Sequence, residues 1–282
     1  MPSGPELSIR IDEPIAPVPA SQGQLRSARR LLRRKERLVA ERFLAEGRQA
    51  VAEALGSGGA VVEVVVAEDA VQRHQDLLHA ATRLQVTVLT ASAREVAGLS
   101  DTVTPQGILA VCRTVDLPLA EVMAGLPRLV VFCDQVRDPG NLGTVIRCAD
   151  AFGADAVLIS AESVDLYNAK TVRASTGSIF HLPLVVDVDL AEAVALGHAA
   201  GLAVLGAEGA AEHTIDDLVR SGVLADPTLW VLGNEAWGLP AEHLALIDRL
   251  VALPMYGRAE SLNLSTAAAV LLYATASAQY AK

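Results

Sequence analysis

The sequence predicts an α/β protein whose larger part is built on a mostly parallel sheet. Continuous apolar runs at Leu129–Cys133 and Ala156–Ile159 are separated by a helical stretch, as strands buried on both faces of a parallel sheet require. Further apolar runs at Ala203–Leu205, Leu229–Leu232 and Leu250–Leu253 continue the strand–helix alternation. Ligands of such sheets bind beyond the carboxyl ends of the strands, so the loops that follow these runs are the places to look for a site.

Composition narrows the class of protein. The chain has 282 residues, of which 51% are hydrophobic and 20% charged, which is typical of globular domains. The first residues, MPSGPELSIRIDEPIAPVPA, contain no apolar core of a signal peptide, and no apolar run is long enough to span a membrane. Three cysteines without CxxC spacing and six histidines without a ligand pattern predict reduced thiols and no metal site. We therefore expect a cytoplasmic protein.

Four segments are predicted along the chain. Residues 1–24, rich in Pro, Ser and Gly, are expected to form a disordered tail. Residues 25–115 alternate strands and helices and predict a small α/β domain, with one helical pattern from Gln24 to about Leu55 that Gly56-Ser57-Gly58-Gly59 ends. Residues 116–127 form a linker with one short helix, and residues 128–282 form the larger domain.

Charge is distributed unevenly. The net charge is −10, yet residues 26–48 contain nine basic residues against three acidic ones, which makes this strip +6 and leaves about −16 for the remainder. A basic strip on an acidic body is typical of a localised phosphate contact. The alternative is a solvated helix with ion pairs such as Arg37–Glu41, and the sequence leaves both open.

The segment DPGNLGTVIRCADAFG, residues 138–153, predicts a turn followed by a helix. Pro139-Gly140 is turn chemistry and Asn141 is a suitable N-cap. The helix has an apolar face and, opposite to it, a face on which Arg147 accompanies the small residues Gly143, Thr144 and Ala151. Arg147 is either solvated or paired with Asp150, or it is placed where a ligand approaches this face closely.

Two further loops follow predicted strands. GNEAWGLP, residues 233–240, offers backbone groups at Gly233 and a carboxylate at Glu235. PMYGRAESLNLS, residues 254–265, leads into the last helix, where Ser261 and Asn263 are predicted caps and the helix amides favour an anion. Each loop alone has an ordinary structural explanation. Together they collect amide, hydroxyl, carboxylate and guanidinium groups on one edge of one sheet.

Three segments, DPGNLGTVIRCADAFGA, VLGNEAWGLP and LPMYGRAESLNLSTAAAVLLY, resemble the three motifs of the SpoU/TrmH-type RNA 2′-O-ribose methyltransferases of the SPOUT superfamily. The residues before them are similar to the small L30e-like RNA-binding domain that often precedes the catalytic domain. RASTGSIFHLP, residues 173–183, resembles actinobacterial members and antibiotic-resistance enzymes that modify 23S rRNA. Ala236 departs from the motif, since glycine is more usual after the glutamate.

The resemblance implies a C-terminal SPOUT sheet with a deep trefoil knot, S-adenosylmethionine bound in that knot, and a homodimer in which both subunits contribute to catalysis. The residues implied to hold the cofactor, largely through main-chain groups, are Leu205, Gly206, Gly233, Asn234, Leu253, Met255 and Leu262.

The resemblance also places Arg147 near the ribose 2′-hydroxyl, assisted by Asn141, Glu235, Ser261 and Asn263. Arginine is ordinarily too basic to accept a proton, so Arg147 acts either as an unusual base or by polarising the hydroxyl, and the sequence leaves both open. The predicted RNA contacts are Arg29, Arg30, Arg33, Arg34 and Arg173; for Arg173 the alternative is a helix cap or an interface ion pair.

The expected substrate is structured RNA, with 23S rRNA first and transfer RNA second, and a link to resistance against ribosome-targeting antibiotics is a further expectation. The competing hypothesis from another class is an inactive RNA-binding or ribosome-assembly protein. A dinucleotide-dependent oxidoreductase is disfavoured because GxGxxG is missing after the first strand, and a serine hydrolase because GxSxG is missing.

Overall fold

Two β-sheets organise the chain in a computed structural model that describes residues 15–281. The strands in this part are β1 (Val18–Pro19), β2 (Arg42–Glu46), β3 (Val61–Ala67), β4 (Thr87–Ala91), β5 (Ile108–Arg113), β6 (Leu129–Cys133), β7 (Ala156–Ser160), β8 (Leu184–Val188), β9 (Ala203–Ala207), β10 (His213–Thr214), β11 (Thr228–Leu232) and β12 (Arg249–Ala252). The helices are α1 (Gln22–Arg30), α2 (Arg34–Ala40), α3 (Arg48–Gly56), α4 (Gln75–Arg83), α5 (Ala93–Ala97), α6 (Leu119–Ala124), α7 (Pro139–Ala151), α8 (Ala169–Ala174), α9 (Leu190–Ala199), α10 (Ile215–Ser221), α11 (Ala241–Leu244) and α12 (Leu264–Tyr280).

The C-terminal sheet is parallel throughout and has the order β10-β12-β9-β11-β6-β7-β8. The central strands β6, β7 and β11 are buried along their whole length, which explains their continuous apolar sequences. All the strands point the same way, so the loops after them emerge at one edge. The predicted α/β fold with a parallel sheet is confirmed.

The path of the chain after β12 returns across this edge. β12 lies beside β9, whereas α12, which follows it, packs on α7 on the β6 side. The connecting residues therefore pass the carboxyl ends of β9 and β11. This return is the one that the expected trefoil knot needs, and the knot itself stays a prediction.

The N-terminal sheet is mixed, with the order β1-β4-β3-β5-β2. It differs from the sequence prediction at its start. The single helix expected from Gln24 to Leu55 is wrong: α1 and α2 are followed by β2, which pairs antiparallel with β5 before α3 begins. Gly47, at a φ of 91°, makes the turn between β2 and α3, and Phe43, Leu44 and Ala45 are apolar because β2 is buried.

The predicted tail also ends earlier than residue 24. Residues 1–14 lie outside the described part, but β1 already pairs parallel with β4, and Ser21 caps α1 through a capping box with Gln24. Leu25, Ala28 and Leu31 are buried in the core. Among residues 15–281, no helix has both the length and the hydropathy that a membrane crossing needs.

The two sheets share one continuous apolar core. The ring of Phe43 on β2 lies 4.6 Å from that of Tyr167 and 5.9 Å from that of Phe180, both from the C-terminal part. Tyr167 also accepts hydrogen bonds through its hydroxyl from the backbone N–H groups of Val115, at the end of the N-terminal part, and Asp116, at the start of the linker. Aromatic pairs at these separations add to the apolar area that they bury, so the two parts of the chain pack as one body.

A buried ion pair joins the parts at a second point. Arg37 on α2 donates to the Asp165 carboxylate, with a distance of 3.0 Å from Nε to Oδ2, and to the carbonyl of Leu31 at 2.8 Å. The Arg37 side chain is 6% exposed and that of Asp165 13%. Arg37 therefore does not form the alternative surface pair with Glu41; it anchors α2 to the C-terminal part.

We expect Arg37→Ala to lower the free energy of unfolding by about 3–5 kcal/mol, because it leaves the Asp165 carboxylate buried without its partner. Urea denaturation measures this change. Arg30→Ala is the matched control: Arg30 pairs with Glu36 but is 66% exposed, so the expected loss is at most about 1 kcal/mol. Equal losses for the two variants would contradict the anchoring role.

Candidate active site

Three loops meet at the carboxyl edge of the parallel sheet through a chain of side-chain hydrogen bonds. Asn263, at the start of α12, donates through Nδ2 to Oδ1 of Asn141 at 2.9 Å. Asn141, in the first turn of α7, donates through Nδ2 to Oε1 of Glu235 at 2.9 Å. These groups follow β12, β6 and β11 respectively. The convergence expected from the three sequence segments is thus present within one chain.

The side chain of Asn141 is available for these bonds because another residue caps α7. Asn141 was expected to be the N-cap, and this is wrong. Asp138 is the N-cap: its Oδ1 accepts from the Asn141 backbone N–H at 2.9 Å, and Pro139 occupies the first helical position. Lys170 donates to Asp138 Oδ2 at 2.7 Å, and this bond holds the pKa of the Asp138 carboxyl below its usual range.

The start of α12 shows a similar division of roles. Asn263 is the N-cap, with Oδ1 accepting from the backbone N–H of Ser265 at 2.9 Å and of Thr266 at 3.4 Å. Ser261 was expected to share this role but does not cap the helix. Its side chain is exposed and lines the cavity described below.

The loop that carries Glu235 is closed by main-chain bonds. Asn234 and Gly238 exchange backbone hydrogen bonds of 2.9 and 3.0 Å. The buried Asn234 side chain donates to the carbonyl of Gln135 at 2.6 Å and accepts from the N–H of Ala236 at 2.8 Å. A Cβ on Gly233 would lie 2.6 Å from the carbonyl carbon of Gly238, so this position admits only glycine.

Below this loop, a second contact holds it to the loop after β6. Nδ1 of His243, on α11, lies 2.5 Å from Oδ2 of Asp134, which is buried. Burial raises the pKa of the Asp134 carboxyl, and the hydrogen bond with His243 opposes this rise. The Asn234–Gln135 and His243–Asp134 contacts together fix the height of Glu235 above the sheet edge.

A cavity of about 390 Å³ opens between the loops after β9, β11 and β12, a size found for small-molecule sites. Five of the seven predicted cofactor residues line it: Gly233, Asn234, Leu253, Met255 and Leu262. Leu205 and Gly206 do not, because they lie inside β9, where Gly206 faces Ile247 and Leu250. The next residues, Ala207, Glu208 and Gly209, line the cavity in their place.

The lining of the cavity combines apolar groups with carboxylates. Leu232, Leu253 and Leu264 provide apolar surface, and Glu208, Glu235 and Glu260 provide negative charge. A ligand with a flat apolar ring and a net positive charge, such as an adenosyl sulfonium, matches this combination. Sequence reasoning missed Glu208 and Glu260. The position of Glu208 directly after β9 was the available signal, because that loop lies on the same sheet edge.

Arg147 lies on α7 outside this cavity. Its side chain is exposed and has no hydrogen bond or ion pair with another residue in the part that the structure describes. The alternative pairing with Asp150 does not occur, since Asp150 accepts from His181 at 2.7 Å. The small face of α7 does not explain the position of Arg147 either: Gly143 is buried against α8, so a neighbouring helix, and not a ligand, requires it to be small.

The predicted RNA contacts fall into two groups. Arg29, Arg33 and Arg34 are exposed, and Arg30 is exposed while it pairs with Glu36. Arg173 instead lies between the two parts of the chain: it is 3.3 Å from a Glu46 oxygen and 3.6 Å from an Asp101 oxygen. The structure thus shows the interface ion pair that was the alternative for Arg173, and its phosphate contact stays a prediction.

The cysteines and possible metal ligands add no second site. Cys112 and Cys133 are buried, and burial raises the pKa of the Cys133 thiol to about 12. Cys148 is half-buried, and its thiol pKa is also raised. Within residues 15–281, no cluster of three histidine, cysteine, aspartate or glutamate side chains is arranged to hold a metal ion.

Comparison with known proteins identifies the class to which this fold and site belong. Residues 128–273 match the SpoU rRNA methylase family, and residues 23–110 match the MRM3-like substrate-binding domain. The chain belongs to the SpoU rRNA methylase family. The predicted family and enzyme class, a methyltransferase, are confirmed.

Individual relatives resemble the chain over most of its length. It is 37% identical over 254 residues to the 23S rRNA (guanosine(2553)-2′-O)-methyltransferase RlmP of Bacillus subtilis, covering 90% of this chain and 96% of the relative. The AdoMet-bound rRNA methyltransferase of Sinorhizobium meliloti superposes with a TM-score of 0.78 at 29% identity, covering 92% of this chain and 97% of that one.

The SpoU methyltransferase AviRb of Streptomyces viridochromogenes, in complex with AdoMet, gives a TM-score of 0.80 at 27% identity, with 93% of this chain and all of the other covered. Two structural relatives thus carry S-adenosylmethionine, which confirms the predicted cofactor for this fold. The individual residues assigned above to cofactor, ribose and RNA stay predictions.

The close contact between α7 and α8 predicts how a substitution at Gly143 changes the free energy of unfolding. A Cβ on Gly143 would lie 2.4 Å from the Thr171 carbonyl oxygen and 2.6 Å from the Cβ of Ala174, so Gly143→Ala should lower the free energy of unfolding by about 1–3 kcal/mol. Gly56→Ala is the control, since Gly56 ends α3 with nothing within 4 Å of the added atom. There we expect a gain of about 0.4–1 kcal/mol. Thermal melts of both variants decide; a Gly143→Ala protein as stable as the parent would contradict the tight helix contact.

Proposed function

We propose that the chain transfers a methyl group from S-adenosylmethionine to a ribose 2′-hydroxyl of 23S rRNA. The observation that carries this proposal is the hydrogen-bonded row Asn263–Asn141–Glu235 at the rim of the cavity. It places polar groups of fixed orientation beside a pocket that suits the cofactor. The RNA is assigned from the relatives, since RlmP and RlmB carry 23S rRNA 2′-O-methyltransferase names.

S-adenosylmethionine supplies a sulfonium methyl group, which is a good electrophile. The protein's task is to hold a ribose hydroxyl in line with it and to accept or share the hydroxyl proton. Asn141 is oriented by its two neighbours, and it in turn holds Oε1 of Glu235. The remaining carboxylate oxygen, Oε2, has no hydrogen-bond partner within residues 15–281 and can accept a hydrogen bond from the ribose. Ser261, which also lines the cavity, adds a hydroxyl that can bind the same sugar.

Arg147 reaches a ribose in this scheme from a second copy of the chain. It is exposed on α7, and the adjacent helix α12 presents Val270 and Tyr273, 42% and 61% exposed. Two α7–α12 faces that pack together would bury these apolar groups and carry Arg147 toward the partner's cavity. The guanidinium there would polarise the hydroxyl and bind the adjacent phosphate, leaving Glu235 as the proton acceptor.

The exposed arginines of the N-terminal part would add phosphate contacts. Because its proposed substrate is ribosomal RNA, the protein would act in the cytoplasm.

The transfer RNA alternative and the expected link to antibiotic resistance are both tested by one experiment. Total RNA is incubated with enzyme and labelled cofactor, and the mark is located by reverse-transcription stops at low nucleotide concentration. Label in transfer RNA alone would overturn the proposal; label at a drug-contacting nucleotide would support resistance.

We expect Arg147→Ala to bind S-adenosylmethionine as the parent does and to lose methyl transfer by about a hundredfold or more, since a positioned polar group typically contributes this much. Isothermal titration measures binding, and tritiated-methyl transfer to 23S rRNA measures turnover. Arg83→Ala is the matched control, because Arg83 is exposed at the end of α4 and lines no part of the cavity. Turnover near the parental rate in Arg147→Ala would remove Arg147 from the site.

A further inference from the structure

A second cavity, of about 230 Å³, lies at the same sheet edge, where the N-terminal part meets β7 and β8. It is lined by Ser160 and Asp187 at the carboxyl ends of these strands, and by Arg34, Leu38 and Glu41 of the α2 region. β7 is separated from β11 only by β6, so two strand spacings, about 10 Å, separate it from the strand that bears the Glu235 loop. The SpoU motifs contribute nothing to this cavity.

The two acidic residues of this cavity that bind no other group stand out. Asp165 is neutralised by Arg37, and Asp116 accepts from the Tyr167 hydroxyl. Glu41 and Asp187, in contrast, have no hydrogen bond or ion pair from their side chains within residues 15–281. Glu41 has a φ of 50° because it ends α2 as a left-handed C-cap, and Asp187 has a φ of 55° within β8.

Two exposed arginines lie beside this cavity. Arg137 lies in the loop after β6, four residues before Asn141, and lines an adjoining cavity together with Arg34. Both guanidinium groups are on exposed residues, and neither has a hydrogen-bond or ion-pair partner in the described part of the chain. Two arginines and two carboxylates, all on exposed residues beside one pocket, suit a nucleotide: phosphates bind the guanidinium groups, and base amino groups bind the carboxylates.

We propose that the second cavity binds an unpaired base of the RNA substrate, one that bears an exocyclic amino group, while Arg137 and Arg34 hold the phosphates between it and the target ribose. Glu41 and Asp187 accept hydrogen bonds from the base edge, and Leu38, 64% exposed on α2, covers the apolar face of the ring. RNA is recognised largely in this way, through bases turned out of the stack and read at their edges. This inference rests on the proposed function and adds, next to the catalytic site, a second site that recognises the base sequence of the RNA.

The test uses the full-length chain and an unmodified 23S rRNA transcript, with binding measured by filter retention between about 50 and 200 mM salt. Arg34→Ala and Arg137→Ala should each reduce the salt slope of binding by about one, because each removes a phosphate contact. Leu38→Ala, which removes the apolar cover of the ring, and Asp187→Asn, which removes a charged acceptor but tolerates the backbone, should each weaken binding by about tenfold with an unchanged salt slope.

Arg83→Ala is the control for charge and should leave both affinity and slope unchanged. S-adenosylmethionine titration of every variant should match the parent, since none of these residues lines the cofactor cavity. Parental salt slopes for Arg34→Ala and Arg137→Ala, or parental affinity for Leu38→Ala and Asp187→Asn, would overturn the base-binding site. A parent that binds no cofactor or methylates no RNA would instead overturn the proposed function, so the two failures are distinguishable.

Discussion

The arrangement of the catalytic rim depends on the hydrogen bond that caps α7. Because Asp138 satisfies the first free N–H groups of that helix, the amide of Asn141 is not consumed by capping and turns toward Glu235 and Asn263. Lys170, from the start of α8, keeps Asp138 ionised and in place. A surface ion pair of this kind contributes little to overall stability. Its effect here is geometric, since it decides which side chain is left free for chemistry.

Hydrogen bonds between polar side chains also fix the position of the loop after β11. Asn234 and His243 tie that loop to residues 134–135, so the carboxylate of Glu235 is held by its backbone as well as by Asn141. Preorganised groups need little rearrangement when charge develops during a reaction, which is where enzymes gain most of their electrostatic advantage. The site is therefore supported from two sides of the sheet edge.

Much of this arrangement could be predicted from the sequence, and the failures have physical causes. The parallel sheet was predictable because strands buried on both faces leave continuous apolar runs, as in Leu129–Cys133. The strand β2 was not, because Phe43 and Leu44 lie at a spacing that also fits the helix that follows, and Gly47 was the only break. The small face at Gly143 was misinterpreted because a pattern cannot show whether α8 or a ligand covers it.

The site residues divide in the same way. Loop position after a strand correctly brought Asn141, Glu235, Ser261 and Asn263 to one edge. Of the seven cofactor residues that the family resemblance implies, five line one cavity there, whereas Leu205 and Gly206 lie within β9. Arg173 and Arg37 illustrate a further limit: the sequence shows a positive charge, but its pairing with Glu46 or Asp165 depends on tertiary contacts.

The shared core between the two sheets has a consequence for how such proteins can be recombined. Phe43 packs between Tyr167 and Phe180, and Arg37 is buried against Asp165. The surfaces that join the substrate-binding part to the methylase part are therefore complementary in both shape and charge. Replacing one part with the corresponding part of a related protein would leave the aromatic pocket and the Asp165 carboxylate without their partners. The two parts are therefore constrained to change together in evolution. Their packing also fixes the distance between helix α2, which bears the arginines, and the catalytic rim.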